Sequence, residues 1–523
     1  MRTGRPLLAA AALAVLTTGA AFVFGSGPGE PPAAGSAKKK TAAAPVASCK
    51  TEARYPKRQL RGVWIATVKN IDWPSKTGLT PERQRAEYVR ILDGAVKRRL
   101  NAVFVQVRPA ADALYRSSLE PWSQYLTGTA GKDPGWDPLP FLVAEAHKRG
   151  LEFHAWFNPY RASYDGGTAG LPAGHPARRH PGWTVAYDGR LYFNPGLPQV
   201  REHVVKVVTD VVKRYDVDGV HFDDYFYPYP GQGGAFDDRA AFAKYGKGQS
   251  LAGWRRQNVN TLVAEVDAAV HATKRHVKFG ISPFGIWRNK AQDPAGSATS
   301  GMSAYDSIYA DARAWIKAGT VDYVIPQLYW PIGFKAADYK VLLPWWARQV
   351  KGTGVDLYIG QAVYQVGTRT DPAWAKPGEL AAQLTLGRKH KQVEGDVYFS
   401  AKNVLGNPLG AMDRVAAGHY ARPALLPLIK ERGGDAPAKP AGLKAEAGKG
   451  EGAALAWTPS EGARAYAVYR LPASGADCHT EDARDLVALV TAPSFAAAKP
   501  GTYLVTALDR LQHESDAARV TVR

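Results

Sequence analysis

The sequence predicts an α/β fold, a closed (β/α)8 TIM barrel, followed by a small all-β sandwich, on three observations. From Arg61 to about Val404 a short β-branched or aromatic run, a loop and an amphipathic helical stretch alternate eight times. Helices that carry the chain between parallel strands close such units into a barrel. Polar and aromatic residues gather at the ends of the predicted strands, where this fold places its chemistry. After Arg432-Gly433-Gly434-Asp435-Ala436-Pro437 the rhythm changes to short alternating runs separated by turn residues, the pattern of an antiparallel sandwich.

In chain order, Arg2 and Arg5 precede a nearly continuous apolar stretch from Pro6 to Phe24, with Gly19, Ala20 and Ala21 as small residues for cleavage. The stretch is long for a signal core and nearly long enough to span a bilayer, so residues 1–24 read as a signal peptide or an N-terminal membrane anchor. Either places the body outside the cytoplasm, secreted or at the cell surface. Gly25 to about Ser48, rich in Pro, Ala, Gly and Lys, cannot bury enough surface to fold and opens a disordered linker expected over 25–57.

The barrel is expected over 58–430. Its strands are Arg61 to Val68, Asn101 to Val107, Leu151 to Asn158, Val217 to Phe226, Val277 to Gly285, Val321 to Trp330, Val355 to Tyr364 and Gly395 to Ala401. Apolar residues at three-to-four spacing predict helices over Pro81 to Leu100, Asp137 to Arg149, Pro198 to Tyr215, Leu251 to Thr273, Ala304 to Ala318 and Pro377 to Lys389. In the second domain, 438–523, strands are expected at Leu443 to Glu446, Ala453 to Trp457, Ala465 to Leu471, Leu486 to Val490, Gly501 to Ala507 and Ala518 to Val522.

The chain carries a formal net charge of +20 from 67 basic and 47 acidic residues. That balance suits anionic partners such as wall polymers or anionic lipid. Nucleic acid is not expected, because the basic residues are dispersed and form no recognisable nucleic-acid module. Cys49 and Cys478 are the two cysteines, and their pairing stays open at this level. The 12 histidines show no His-Glu-x-x-His pattern, so neither metal nor cofactor is expected.

The fourth strand ends in Val217-Asp218-Gly219-Val220-His221-Phe222-Asp223-Asp224-Tyr225-Phe226. Unpaired carboxylates are costly to bury, so two adjacent aspartates closing an apolar run mark a solvated strand end or a working site. Alternation sets Val220 and Phe222 against the helices and His221, Asp223 and Tyr225 toward the barrel interior. Asp224 reaches the same pocket if the backbone turns at Tyr225. Adjacent carboxyls split their pKa values, which supplies an acid and a base to one reaction.

Five other strand ends carry candidates: Arg108; Asn158 with Tyr160 and Arg161; Trp287; Gln327, Tyr329 and Trp330; and Gln361. Trp156, Trp287 and Trp330 are candidate platforms for the C–H faces of sugar rings, although core packing accounts for such residues equally well. His221 fits two readings, a core histidine or one that orients Asp223 or the substrate.

The motifs Arg61-Gly62-Val63-Trp64, Gln106-Val107-Arg108-Pro109, Pro121-Trp122-Ser123, Leu126-Thr127-Gly128 and His154-Ala155-Trp156-Phe157-Asn158-Pro159-Tyr160-Arg161 resemble the glycosyl-hydrolase-like family ten of bacterial exported proteins. Val217 to Pro228, Gly280 to Trp287 and Val324 to Trp330 continue the match, which covers about residues 58 to 430. The resemblance implies a barrel hydrolase of bacterial cell-wall glycan. Some members are similar to an enzyme that cuts peptidoglycan strands stripped of stem peptides. In the second domain, Trp457, Tyr466, Tyr469 and Tyr503 resemble the core aromatics of a fibronectin type III domain, an immunoglobulin-like sandwich that usually spaces or docks.

Retaining barrel glycosidases commonly hold a nucleophilic carboxylate at strand seven, where this chain has Gly360-Gln361-Ala362. An N-acetylated sugar supplies its own nucleophile, the acetamide oxygen, while one carboxylate holds the acetamide N–H and another protonates the leaving oxygen. The fourth strand is similar to the chitinase acidic motif in Asp218-Gly219 and to the adjacent-aspartate motif of O-linked N-acetylglucosaminidases in Asp223-Asp224. It departs from the chitinases at Tyr225, which stands where they have the acid glutamate. Asp223 is therefore expected to orient the acetamide and Asp224 to act as general acid and base. Tyr329 is expected to donate to the acetamide oxygen, and Arg108, Asn158 and Gln327 to bind hydroxyl, acetamide or lactyl carboxylate groups. Two alternatives stand beside this reading: a hydrolase of another polysaccharide using an inverting pair or an unlocated nucleophile, and a non-catalytic wall-binding barrel.

Overall fold

Eight β-branched and aromatic runs become eight parallel strands: Leu60–Ile65, Ala102–Arg108, Glu152–Phe157, Gly219–Phe222, Lys278–Ile281, Tyr323–Val324, Asp356–Gln361 and Val393–Tyr398. They are called the first to eighth barrel strands below. Each pairs with the next, and the eighth closes on the first from Leu60↔Gly395 to Val63↔Tyr398. Helices cover the outside, so the strands are buried on both faces and their apolar runs are continuous. The computed structural model describes residues 51–429, 432–447, 452–472 and 480–523. The expected signal or anchor over 1–24, the linker as far as residue 50, and both Cys49 and Cys478 lie outside the described residues.

The fifth and sixth strands stop short of the expected 285 and 330. Beyond Ile281 and Val324 the ladder survives only as isolated bridges, Phe284 to Gln327 and Gln327 to Gly360. Pro283 and Pro326 stand at these breaks; proline brings no N–H to a ladder, and the freed chain turns into the loops of the barrel mouth.

The helices Pro81–Lys97, Pro138–Lys148, Pro198–Arg214 and Leu251–Thr273 lie where the spacing puts them. Thr80, Asp137 and Ser250 cap three of them with side-chain oxygens on free backbone N–H groups. The expected helix over 304–318 divides into Ala304–Ser307 and Ala312–Ala318, with Tyr309 between them at a left-handed φ of 56°. A helix at Tyr339–Val350 has Pro344 inside it, which interrupts the pattern that would have announced it.

The barrel interior is packed by Leu60, Trp64, Phe104, Trp156, Tyr323, Tyr358 and Val397. Two glycines make that packing possible. A Cβ on Gly219 would lie 2.2 Å from His154 Nδ1, and one on Gly280 would lie 2.2 Å from the Tyr323 ring.

Between the third strand and helix Pro198–Arg214 the chain makes an excursion, a three-stranded antiparallel sheet of Arg161–Ser163, Arg190–Phe193 and Thr184–Tyr187 in that order. It stands over the barrel mouth beside the loop that leaves the fourth strand, and Gly231 N–H of that loop donates to Tyr187 Oη at 2.9 Å.

The second domain has two antiparallel sheets. Ala441–Ala447, Ala453–Thr458 and Ser494–Ala497 form one; Leu486–Val490, Ala465–Arg470, Gly501–Leu508 and Ala518–Val522 form the other. Leu455 and Trp457 of the first pack with Tyr466, Val468, Tyr503 and Val505 of the second. Ser494–Ala497 was not among the expected strands. The last residues of the expected linker do not hang free: Ala483 N–H donates to Tyr55 C=O at 3.0 Å, and Lys57 pairs with Glu514 at 2.7 Å.

Candidate active site

The fourth strand ends at Phe222, and its alternation is as expected, with Val220 and Phe222 packed outward and His221 inside the barrel. The backbone turns immediately afterward, which puts both Asp223 and Asp224 on a cleft of about 520 Å³. Both are nearly buried, at 5% and 4% exposure. Among the described residues that line the cleft, these two are the carboxylates.

Asp223 is held from three sides. Trp156 Nε1–H donates to Oδ2 at 3.0 Å, the Asn158 amide reaches both oxygens at 3.2 and 3.1 Å, and Tyr225 N–H donates to Oδ1 at 3.1 Å. Burial raises its pKa on balance, although Arg161 and these donors oppose the rise. Asp224 is pushed up to about 6, first by burial and then by the charge of Asp223. The Tyr229 hydroxyl donates to Asp224 Oδ2, and Tyr229 and Gln327 oppose the rise. The pair is therefore asymmetric: both carboxyls are raised by burial, but Asp223 has more donors that favour its charged form, and Asp224 is raised further by the charge of Asp223.

Of the other predicted residues, Tyr329, Trp156, Arg161, Tyr225, Gln327 and Trp330 line the cleft with the aspartates. The Tyr329 hydroxyl has no hydrogen-bond partner among the described residues, and burial pushes its pKa well up, so it stays a donor. Gln327 Nε2 donates to Ser282 C=O at 2.9 Å.

Six expected binding residues do not reach the cleft. Arg108 is fully buried and forks onto Glu120 at 2.7 and 2.5 Å, with its remaining nitrogen donating to the carbonyls of Asn158 and Pro159. It fixes the turn that aims Asn158 and has no free donor face for a sugar. Asn158 is itself buried, and its Oδ1 accepts from Arg161 N–H at 2.8 Å; it positions Asp223. Tyr160 belongs to the core. His221 accepts from Trp64 Nε1–H at 3.2 Å and lies 3.1 Å from Ser282 Oγ. Burial and His154 hold it well below the usual histidine range, a neutral floor beneath the aspartates. Trp287 stacks on Trp345 at 6.0 Å and donates to Asp311 Oδ1 at 2.9 Å, away from the cleft. Gln361 is buried in the barrel wall, donating to Tyr339 Oη at 3.0 Å and Asp396 Oδ1 at 2.8 Å. Asp396 itself, pushed up to about 6 by burial, does not line the cleft.

The cleft also has walls beyond the residues given a site role from sequence; of these, Phe284 and Tyr364 stand at expected strand ends. Tyr164 and Arg190 come from the excursion, Lys69 and Ile71 from the loop after the first strand, Tyr229 from the fourth, Phe284 from the fifth, and Tyr364 and Phe399 from the last two. Tyr229, Phe284 and Trp330 run edge to face, with centroids 6.1 and 5.5 Å apart. Such C–H-accepting surfaces suit the faces of sugar rings. Phe284, Tyr364 and Phe399 lie in or at the ends of expected strands, and Tyr229 stands five residues past Asp224; Lys69, Ile71, Tyr164 and Arg190 arrive through loops whose paths no periodicity describes.

The glycosyl hydrolase-like 10 family model matches residues 59–376. The glycosyl hydrolase YngK of Bacillus subtilis (strain 168) is 46% identical over 481 residues, 89% of this chain and 94% of that protein. The glycosyl hydrolase DigH of Escherichia coli (strain K12) is 41% identical over 362 residues, 65% of this chain and 82% of that protein. Among solved structures, the PgaB (BpsB) glycoside hydrolase domain from Bordetella bronchiseptica aligns with 70% of this chain and 99% of that one, at 15% identity and a TM-score of 0.47. The chain belongs to the glycosyl hydrolase-like 10 family and is a glycoside hydrolase.

Proposed function

We propose that this glycoside hydrolase is exported and cleaves an N-acetylated cell-wall glycan, peptidoglycan strands in particular, by acetamide-assisted catalysis. The observation that carries the reading is that Asp223 and Asp224, neighbours on one strand end, are the carboxylates found on the cleft among the described residues. A double-displacement mechanism through the protein needs a carboxylate across the sugar from the acid. The strand where one commonly stands offers Gln361, which is buried and turned to Asp396.

In this reading the acetamide oxygen attacks the anomeric carbon as the glycosidic C–O bond breaks. Asp224 gives its proton to the departing oxygen, and Asp223 accepts the acetamide N–H, drawing electron density toward the attacking oxygen. Tyr329 donates to the acetamide oxygen before it attacks. Water, deprotonated by Asp224, then opens the oxazolinium at the anomeric carbon and leaves a retained hemiacetal. The carboxyl of Asp224, pushed up to about 6, suits a group that must give and then recover a proton.

The division into a catalytic barrel and a fibronectin type III-like module, the N-terminal signal or anchor, and attraction of a +20 chain to anionic wall polymers complete the proposal. The test is incubation with peptide-free peptidoglycan strands, following new reducing ends and the anomer first released. Retained product, inhibited by a thiazoline analogue of the oxazoline, is expected. Inverted product removes the acetamide from the mechanism, and cleavage confined to unacetylated glucans removes the substrate.

A further inference from the structure

Three cations border the cleft, and each lies by the ring of Tyr164. Lys69 Nζ lies 4.7 Å from its centroid, Arg161 Cζ 4.9 Å and Arg190 Cζ 5.8 Å. All four residues line the cleft. A protein usually neutralises such a cluster with carboxylates. Here none of the three cations makes an ion pair among the described residues. Arg161 is 4% exposed, yet its Nε–H has no acceptor. Its other face lies over the Tyr225 ring at 4.4 Å, and its charge acts on Asp223. That Nε is itself enclosed, so what Arg161 offers a ligand is the charge of a guanidinium that lines the cleft without an ion pair.

The cluster is also built to stay where it is. Lys69 and Asn70 both hold left-handed backbone, with φ of 51° and 52°. The Asn70 amide fixes the turn, donating to the carbonyls of Pro74 and Tyr125 at 2.9 Å each. Two successive non-glycine residues in that region cost energy, and such strain persists where the surroundings impose it, often at ligand clamps. Arg190 approaches from a different element, the excursion strand Arg190–Phe193. Loops after the first and third barrel strands thus meet at one positively charged wall.

We propose that Lys69, Arg161, Arg190 and Tyr164 form a subsite for the carboxylate of an acidic sugar residue, the free lactyl ether group in the substrate proposed above. The inference rests on that reading for the identity of the sugar, and for the chemistry on three cations without an ion pair among the described residues, of which Arg190 has a hydrogen bond with Tyr192 and the more distant charge of Asp188. A carboxylate offers acceptors to the guanidinium groups and Lys69 at once, and the Tyr164 hydroxyl is within the same wall. A peptide amide at the lactyl carboxyl removes the charge, and with it the attraction.

The test uses the full chain carrying Asp224→Asn, so that ligand survives the measurement. Affinity is measured by calorimetry for a peptide-free tetrasaccharide of the wall glycan and for the same sugar with its carboxyls reduced to alcohols. The acid form is expected to bind about tenfold or more tightly at low salt, with the ratio falling as salt rises. Adding Lys69→Gln and Arg190→Gln, both at surface-accessible positions, is expected to bring that ratio close to one. Equal affinity for acid and alcohol forms, or a ratio that survives both substitutions, overturns the subsite. Hydrolysis by the unsubstituted enzyme separates this from the wider reading. If both sugars are cut with equal KM, the subsite falls and the function stands; if neither is cut while the binding ratio holds, the function falls and the subsite stands.

Discussion

At the scale of single residues, Asp224 is the group whose environment decides the chemistry. Its carboxyl is pushed up to about 6, because burial and the charge of Asp223 both penalise its ionised form. As the proposed general acid it must be protonated, so kcat/KM is expected to fall as pH rises through about 6 and to fall again in acid as Asp223 protonates. Tyr229→Phe removes a donor that favours the ionised form and should move the alkaline limb upward; an unmoved limb assigns it to another group. Asp224→Asn should lower kcat by about 10²–10⁴-fold while leaving sugar binding intact. The same substitution has a signature in stability. A carboxyl whose folded pKa lies above its unfolded one binds more protons when folded, so its contribution is lost as pH rises from about 4 to about 6. Asp224→Asn should therefore stabilise the protein by about 1–3 kcal/mol at pH 7.5 and by little at pH 3.5, measured by denaturant unfolding.

At the scale of elements, the third strand and its loop act as one positioning unit. Burial alone would raise the Glu120 carboxyl, but Arg108 and His203 outweigh it and hold it at about 2. That pair fixes the carbonyls of Asn158 and Pro159, and Asn158 fixes Asp223. Glu120→Gln leaves a buried guanidinium without its counter-charge and should cost about 3–5 kcal/mol in denaturant unfolding. A loss under 1 kcal/mol would contradict the positioning role. From sequence, Arg108 at a strand end was indistinguishable from a substrate ligand, because its partner lies on a loop 12 residues on. Trp287 was misplaced for the same reason, its stacking partner Trp345 sitting in a helix masked by Pro344. What periodicity does encode, it encoded well. The eight strands, the alternation that turns Asp223 inward and the helices from 81 to 273 follow from local spacing. The excursion over 161–193 has strands of three or four residues, the first parted from the others by a run with Gly166, Gly167, Gly170 and Gly174, too short to show a period. Tyr164 and Arg190 were hidden with it.

At the scale of the whole molecule, the described residues from 51 onward form one compact unit, and the sandwich is seated against the N-terminal ends of the barrel strands. Leu425, paired with residues 57 and 59 beside the first strand, is buried among Ala467, Tyr469, Leu486 and Leu508 of the sandwich. Arg510 reaches from the sandwich to Asp216 at 2.9 Å. Barrel and sandwich should therefore unfold together in calorimetry. Leu425→Ala, which empties a site shared by both, should cost about 2–5 kcal/mol and lower that single transition; two well-separated transitions in the unsubstituted protein would show independent modules instead. Everything at this scale serves to hold one cleft on which two neighbouring aspartates stand, the cleft proposed above to take an N-acetylated sugar. The most direct measurement is a crystal structure of the Asp224→Asn protein with a peptide-free glycan tetrasaccharide. The account predicts an acetamide nitrogen within hydrogen-bond reach of Asp223, its oxygen near Tyr329, and the scissile oxygen against residue 224. A sugar bound with its acetamide turned away from Asp223 would contradict it.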